Sequence, residues 1–295
     1  MTSTDRAGGP KGPSPAASDP AETGAADVEP LKTDDLAALA LRLADAARTE
    51  TMAHFRMDGL EAADKRSRGV YDPVTEGDRA AERAIRALLA ETRPEDGILG
   101  EEEAAVASRS GATWVIDPID GTRAFITGLP TWGTLIALDD GSRGILGLVD
   151  HPATDERYLG RAGHGAWLIR SGGQQRVRCR TGLSLAEATL ITTAPELFTA
   201  EERPAFEAVR ATARLTRYGT DCYGYSMVAL GQADLVIEAG LEAYDIAAPK
   251  ALVEAAGGVV TDWEGGDCRW GGRVVAAASP ALHAETLAHL AAAKR

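Results

Sequence analysis

The chain has 295 residues, of which 44% are apolar and 25% charged, an ordinary globular composition rather than that of a disordered, coiled-coil or membrane protein. No apolar run reaches the roughly 20 residues that span a bilayer. A formal charge of −13 repels nucleic-acid backbones and anionic lipid head groups, so neither nucleic acid nor membrane is an expected partner. An acidic protein can still act on a phosphate ester when metal cations invert its local field. Three cysteines, Cys179, Cys222 and Cys268, without CxxC spacing, argue against a disulfide framework or a thiolate zinc site and fit a reducing cytoplasm.

Residues 1–30 are dominated by Gly, Pro, Ala, Ser and Thr, with Met1 and Val28 as the sizeable apolar side chains. They bury too little surface to offset their ordering entropy, and a disordered tail is expected. The segment has no apolar signal core, and its acids (Asp5, Asp19, Glu22, Asp27, Glu29) outnumber Arg6 and Lys11, unlike a transit peptide. Order is expected from about Leu31. Thr33 is the expected N-cap of a first helix, with Leu36, Leu39, Ala40, Leu43 and Ala47 at helical spacing as far as about Phe55. A second helix is expected from Asp78, its carboxylate capping Ala81 or Glu82, with Ala81, Ile85 and Leu88 on one face.

Short apolar runs between Gly, Pro and Asp turns then predict strands at 113–116, 134–138, 145–149, 166–169 and 188–192. The last third predicts a strand at 233–238, a turn at Ala239 and Gly240, and a helix at 245–256 stopped by Gly257 and Gly258. Strands at 259–262 and 274–278 and a final helix from Ser279 complete it. This order predicts a layered α/β (α+β) architecture. Residues 31–185 form an α+β part carrying the metal and phosphate groups, and 186–295 an α/β part completing the site.

The chemistry concentrates in acids beside turn residues. Gly100-Glu101-Glu102-Glu103 follows the apolar pair Ile98-Leu99, and Trp114-Val115-Ile116-Asp117-Pro118-Ile119-Asp120-Gly121-Thr122 comes shortly after. Pro118 has no amide hydrogen, so a strand should end there and deliver Asp117 and Asp120 around a tight turn. Clustered carboxylates repel unless a cation sits between them. Oxygen ligands with no nearby histidine point to Mg²⁺ or Mn²⁺ rather than zinc or copper. Gly121 and Thr122 add backbone N–H groups able to cradle a phosphate oxygen.

Each piece also has a plainer reading. Asp-Pro-x-Asp-Gly is the composition of a surface β-turn, Asp72 is a credible turn residue, and Lys65 a solvated surface lysine. Glu238 and Asp245 are placed at a strand end and a helix start, where an aspartate is equally an N-cap. The five histidines (His54, His151, His164, His283, His289) fall outside these motifs and read as surface or satisfied structural residues, and the five tryptophans as core.

In combination, Gly-Glu-Glu, Asp-Pro-Ile-Asp-Gly-Thr and a late aspartate opening a helix that ends in Ala256-Gly257-Gly258 resemble the inositol monophosphatase superfamily of Mg²⁺-dependent phosphatases, from about residue 35 to the end. Four further stretches resemble its histidinol-phosphatase branch, which performs a late step of histidine biosynthesis. They are 125–130 with 133–138, 192–198, Arg217-Tyr218-Gly219-Thr220-Asp221-Cys222-Tyr223-Gly224-Tyr225, and 241–248, where Tyr244 precedes Asp245 in place of the Trp expected of the inositol branch. The resemblance implies a sandwich of alternating αβαβα layers and two or three Mg²⁺ ions, with Mn²⁺ as the alternative. It implies that Glu101, Asp117 and the Ile119 carbonyl hold a first ion, that Asp117, Asp120 and Asp245 hold a second, and that Glu101 holds a looser third. It further implies hydrolysis by a metal-activated water that Thr122, helped by Asp72 and Glu101, orients or deprotonates, while the Gly121 and Thr122 amides bind the phosphoryl group.

Histidinol phosphate carries an ammonium and an imidazole, so Asp221 and Glu238 around the leaving group would favour it over a neutral polyol, with Asp221 alternatively a turn residue. Arg217 is a further substrate candidate, supplied across a subunit boundary if the protein is a homodimer, as is common in the superfamily. The alternatives are a phosphatase for inositol 1-phosphate, a sugar phosphate or a phosphonucleotide, and a catalytically silent metal-binding homologue.

Overall fold

The structure, a computed structural model, describes residues 34–65 and 73–293. The expected tail, Thr33 and Asp72 lie outside the described residues. Helix α1 (Asp35–His54) is N-capped by Asp34, whose Oδ1 accepts the Ala37 N–H at 2.8 Å, and buries the stripe of Ala37, Leu39, Ala40, Leu43 and Ala47. A two-residue ladder joins β1 (Ala63–Asp64) to β2 (Pro73–Val74). Helix α2 (Glu76–Thr92) starts before the expected Asp78, because Thr75 is the cap. Asp78 is its third residue, with Oδ2 turned back to the Thr75 N–H (2.8 Å) and Oγ1 (2.6 Å) in a capping box.

Seven strands follow in sheet order: β3 (Gly97–Gly100), β4 (Thr113–Asp120), β5 (Gly133–Asp139), β6 (Gly144–His151), β7 (Glu156–Arg161), β8 (Gly165–Arg170) and β9 (Gly173–Val177). Within this sheet β3 and β4 pair in parallel and the other neighbours antiparallel. Strand β7 was not expected from the sequence because Glu156 and Arg157 look solvated; both are buried, and Arg157 donates to Asp150 at 2.9 Å. A short helix, α3 (Thr122–Ile126), leaves the end of β4.

The second sheet has the order β11-β10-β12-β14-β13. Its strands are β10 (Thr189–Thr192), β11 (Leu215–Tyr218), β12 (Leu235–Glu242), β13 (Val259–Thr261) and β14 (Gly271–Ala277). The helices α4 (Arg203–Thr212), α5 (Tyr223–Ala229), α6 (Ala243–Ala255) and α7 (Pro280–Ala292) complete the chain, with α4, α5 and β11 beyond the sequence expectation. Ser279 caps α7 through its hydroxyl.

Three hydrophobic clusters define the layers. Helices α1 and α2 cover one face of the first sheet, burying Leu43, Ile85, Trp114 and Ile136. Helices α5 and α6 fill the space between the sheets, where Leu135, Tyr158, Val236 and Leu252 share one core. Helices α4 and α7 cover the outer face of the second sheet around Phe206 and Leu290. The fold is thus αβαβα, as the resemblance implied. No helix among the described residues is long and apolar enough to cross a membrane. Four tryptophans are buried, but Trp270 is 58% exposed against Arg269, correcting the expectation that all five are core. His151 is buried and satisfied, between Ser226 Oγ (2.9 Å) and the Trp132 carbonyl (3.1 Å).

Two irregularities position the acids. Pro118 does not end β4; the register shifts from Asp117↔Leu135 to Asp120↔Gly133, a one-residue bulge. Side chains three apart on a regular strand face opposite sides, so the extra residue is what lets Asp117 and Asp120 share a face. Likewise β12 runs past the expected turn at Ala239 and Gly240, through a bulge between Glu238 and Leu241.

Helix α6 reaches the first sheet because glycines face it. A Cβ on Gly147 would lie 2.3 Å from the Ala248 carbonyl oxygen, and one on Gly160 2.5 Å from Leu252 Cα. Gly147→Ala should therefore lower unfolding stability in urea by about 2 kcal/mol through overpacking. Gly144→Ala, whose Cβ would make an ordinary 3.6 Å contact with Ala251, should be neutral or slightly stabilising. Equal midpoints for the two variants would show that α6 is not seated by this contact.

Candidate active site

Carboxylate oxygens of Asp117, Asp120 and Asp245 lie within 4.8 Å of one another, so the bulge of β4 and the first turn of α6 meet. Each acid is anchored at one oxygen by a backbone N–H. Ile119 donates to Asp117 Oδ1 at 3.0 Å, Cys222 to Asp120 Oδ2 at 2.8 Å, and Glu242 to Asp245 Oδ2 at 2.7 Å. The last bond makes Asp245 the third residue of a capping box, not the N-cap itself, which is Glu242. Burial, then the charges of Glu101, Asp120 and Asp245, hold the Asp117 carboxyl well above the usual carboxylate range. Burial and Asp221 push Asp120 up to about 8, against the pull of the Cys222 N–H. Carboxylates kept protonated by mutual repulsion and poor solvation are what a metal cation relieves, and an all-oxygen donor set fits a hard one.

Glu101 joins this group from the loop after β3, close enough for its charge to raise the Asp117 carboxyl. Lys65 is at the surface, as expected, but paired with the acids of the site rather than merely solvated. Its Nζ donates to Glu101 Oε1 at 2.8 Å and also to Glu102, and these acids raise its pKa against the cost of burial. Burial pushes Glu102 up to about 7 even so. Behind them Asp78 is buried, pushed up to about 6 by desolvation, with Oδ1 lacking a hydrogen-bond partner among the described residues. Thr122 opens α3 next to the cluster, and its hydroxyl donates to the Ile119 carbonyl at 3.0 Å.

A cavity of about 140 Å³ opens beside the three aspartates, lined by Asp120, Thr193, Asp221, Tyr225, Glu238 and Asp245 among others. Glu238 Oε1 accepts from the Thr193 N–H (3.0 Å) and Oγ1 (2.6 Å), while Oε2 has a longer 3.4 Å contact from the Tyr225 hydroxyl. Burial pushes Glu238 up to about 7 and Asp221 up to about 6. Asp221 sits at φ +47 and packs against Gly121, where a Cβ would come within 2.9 Å of the Asp221 Cβ. With its own φ of +79, Gly121 is required twice over.

The structure thus brings together Glu101, Asp117, Asp120, Thr122 and Asp245, with Asp221 and Glu238 on the cavity side. Arg217 does not line the cavity; it is exposed on β11, at the edge of the second sheet. Sequence reasoning missed Asp78, Glu82, Thr193 and Tyr225 as site-building residues. The available signal was two acids on the apolar stripe of α2, since Asp78 and Glu82 continue the spacing of Ile85 and Leu89.

A layered α/β fold that concentrates carboxylates between a bulged strand and a helix start is the architecture of a metal-dependent phosphatase. Residues 32–295 match the inositol monophosphatase family, and the chain belongs to it. It is 37% identical over 275 residues to the chloroplastic bifunctional phosphatase IMPL2 of Arabidopsis thaliana, covering 90% of this chain and 77% of that one. It is 37% identical over 264 residues to the histidinol-phosphatase of Streptomyces coelicolor, covering 87% and 97%. The solved inositol monophosphatase of Zymomonas mobilis superposes with a TM-score of 0.76 at 39% identity, over 86% of this chain and 96% of that one.

The raised acids have a measurable consequence. The unfolded chain loses the Asp120 proton near the ordinary carboxylate pKa of about 4, whereas the folded metal-free chain holds it up to about 8. Over that interval the unfolded state binds fewer protons, so this stabilisation is full below about pH 4 and lost as pH rises through 8. Metal-free Asp120→Asn should therefore gain in Tm on the unsubstituted protein between about pH 5 and about pH 8. Divalent cations should then favour the unsubstituted protein. A difference in Tm that is flat with pH would remove Asp120 from the repulsive cluster.

Proposed function

We propose that this protein is a Mg²⁺-dependent phosphomonoesterase that hydrolyses L-histidinol phosphate to L-histidinol and phosphate. The observation that carries the reading is the cavity beside the aspartate cluster, walled on the leaving-group side by the half-buried Asp221 and the buried Glu238. A neutral polyol gains little from ionised carboxylates there, whereas an ammonium or imidazolium relieves their desolvation and forms charge-assisted bonds.

In this reading Glu101, Asp117 and the Ile119 carbonyl hold one ion, Asp117, Asp120 and Asp245 a second, and Glu101 a looser third. Bound Mg²⁺, or Mn²⁺ in its place, supplies positive charge for the phosphoryl oxygens and acidifies the attacking water. The first N–H groups of a helix have no partner within it, so Gly121 and Thr122 at the start of α3 are the donors assigned to phosphoryl oxygens. Glu101 is the assigned proton acceptor, with Thr122 orienting the water. Asp72 lies outside the described residues; Asp78, whose Oδ1 has no partner among the described residues and whose carboxyl feels the charge of Glu101, is the acid we assign to that supporting role. Glu238 Oε2, engaged among the described residues by the long Tyr225 contact alone, is the acceptor left for a substrate cation.

Relatives named for histidinol phosphate and a solved structure named for inositol monophosphate stand at comparable identity, so inositol 1-phosphate is the reading to reject. With Mg²⁺ present, kcat/KM should be higher for L-histidinol phosphate than for inositol 1-phosphate, and the reverse order would overturn the assignment. Asp221→Asn should raise KM for L-histidinol phosphate roughly tenfold, the worth of one charge-assisted bond, and leave inositol 1-phosphate kinetics little changed. Asp120→Asn should abolish turnover of both esters, and retained turnover would remove it from the metal shell.

A further inference from the structure

We propose that Glu82 is the positioning residue for Glu101, a clamp that fixes the loop after β3 by its backbone and thereby aims Glu101 at Asp117. The proposal rests on the metal-dependent reading above, and none of its contacts involves a ligand side chain.

Glu82 is fully buried on α2. Its Oε2 accepts the Glu102 N–H at 2.8 Å, and its Oε1 accepts the Glu103 N–H at 3.1 Å. Arg86, one turn on, donates to the same Oε1 at 2.8 Å and to the Glu103 carbonyl at 3.0 Å. The carboxylate rests on the Gly100 α-carbon so closely that a Cβ there would lie 2.1 Å from Oε1. Glu101 is therefore bracketed by a residue with no side chain on one side and two tethered amides on the other. Fixing α2 to the sheet does not need Glu82, because Ala81, Ile85 and Leu89 already bury that face. A buried carboxylate is costly unless its lone pairs are filled, and here the loop's amides fill them. Groups that hold a metal ligand in place typically change metal affinity about 10–100-fold when altered.

The test uses the full chain, stripped of metal and titrated with Mn²⁺ by calorimetry and electron paramagnetic resonance. Glu82→Gln keeps the shape but faces one loop N–H with another donor. Gly100→Ala keeps every hydrogen-bonding group and pushes the carboxylate off its seat. Both should weaken Mn²⁺ binding at least about tenfold, with turnover recovering at high Mn²⁺. Excess metal should not restore Glu101→Gln, where the ligand itself is altered. In the Glu82→Ala background the Gly100→Ala methyl has space, so the pair should be non-additive. If Glu82→Ala does not fold, Glu82→Gln and Gly100→Ala decide alone.

Lower Tm with unchanged Mn²⁺ affinity and ion number in both variants would show a merely structural Glu82 and overturn the clamp. If the unsubstituted protein binds no Mn²⁺, the metal-dependent reading itself fails and the clamp falls with it.

Discussion

Everything in this molecule is arranged around a repulsion. Asp117, Asp120, Asp245 and Glu101 are brought together, although like charges at such spacing oppose one another by several kcal/mol where water is scarce. The fold withstands this by giving each of the three aspartates a backbone N–H on one oxygen. That bond fixes the orientation of each carboxyl. Because these donors are main-chain groups, the cluster is set by the paths of β4, α5 and α6 rather than by flexible side chains.

Those paths depend on small local departures from regularity. Without the extra residue in β4 the parity of the strand would send Asp117 and Asp120 to opposite faces. Without glycines at 147 and 160, α6 could not lie close enough to the first sheet to present Asp245. Without Gly121, Asp221 could not pack over the turn into α3. Layer packing and site geometry are one problem, and α6 belongs to both: Leu252 is buried in the central core while Asp245 is in the cluster.

The sequence made legible what is local. The Asp-Pro-Ile-Asp-Gly-Thr run, the Gly-Glu-Glu element and the late aspartate are each a short run or a single residue beside turn residues, and their chemistry follows from residue type. Pro118 signalled an interruption of the ladder, but loss of one amide hydrogen is equally compatible with a strand end and with a bulge. Lys65, Asp78 and Glu82 were not legible as parts of the site. Each is an ordinary polar letter whose role depends on a distant partner: Lys65 on Glu101, 36 residues away, and Glu82 on the Glu102 amide, 20 away. Strand β7 was hidden for the same reason, its charges being satisfied across the sheet and onto α1. Short α5 and β11 offer too few residues to show a period.

The two sheets contribute differently to the site, and this bears on specificity. Glu101, Asp117, Asp120 and the Gly121–Thr122 turn come from β3, β4 and their exits, whereas Thr193, Glu238, Asp221 and Tyr225 come from β10, β12 and α5. The second-sheet wall of the cavity meets the cluster at the Cys222 N–H on Asp120, at the packing of Asp221 on Gly121 and at the start of α6, and away from these points it can change without disturbing β4. A family built this way can keep one set of acids and accept different alcohols, and relatives of comparable identity do bear names of different substrates. In this chain that wall is acidic in a protein already carrying −13. The long-range field opposes an approaching phosphate, so capture depends on cations within the cluster, and the acids on the far wall add attraction only for an ester whose alcohol is itself positively charged.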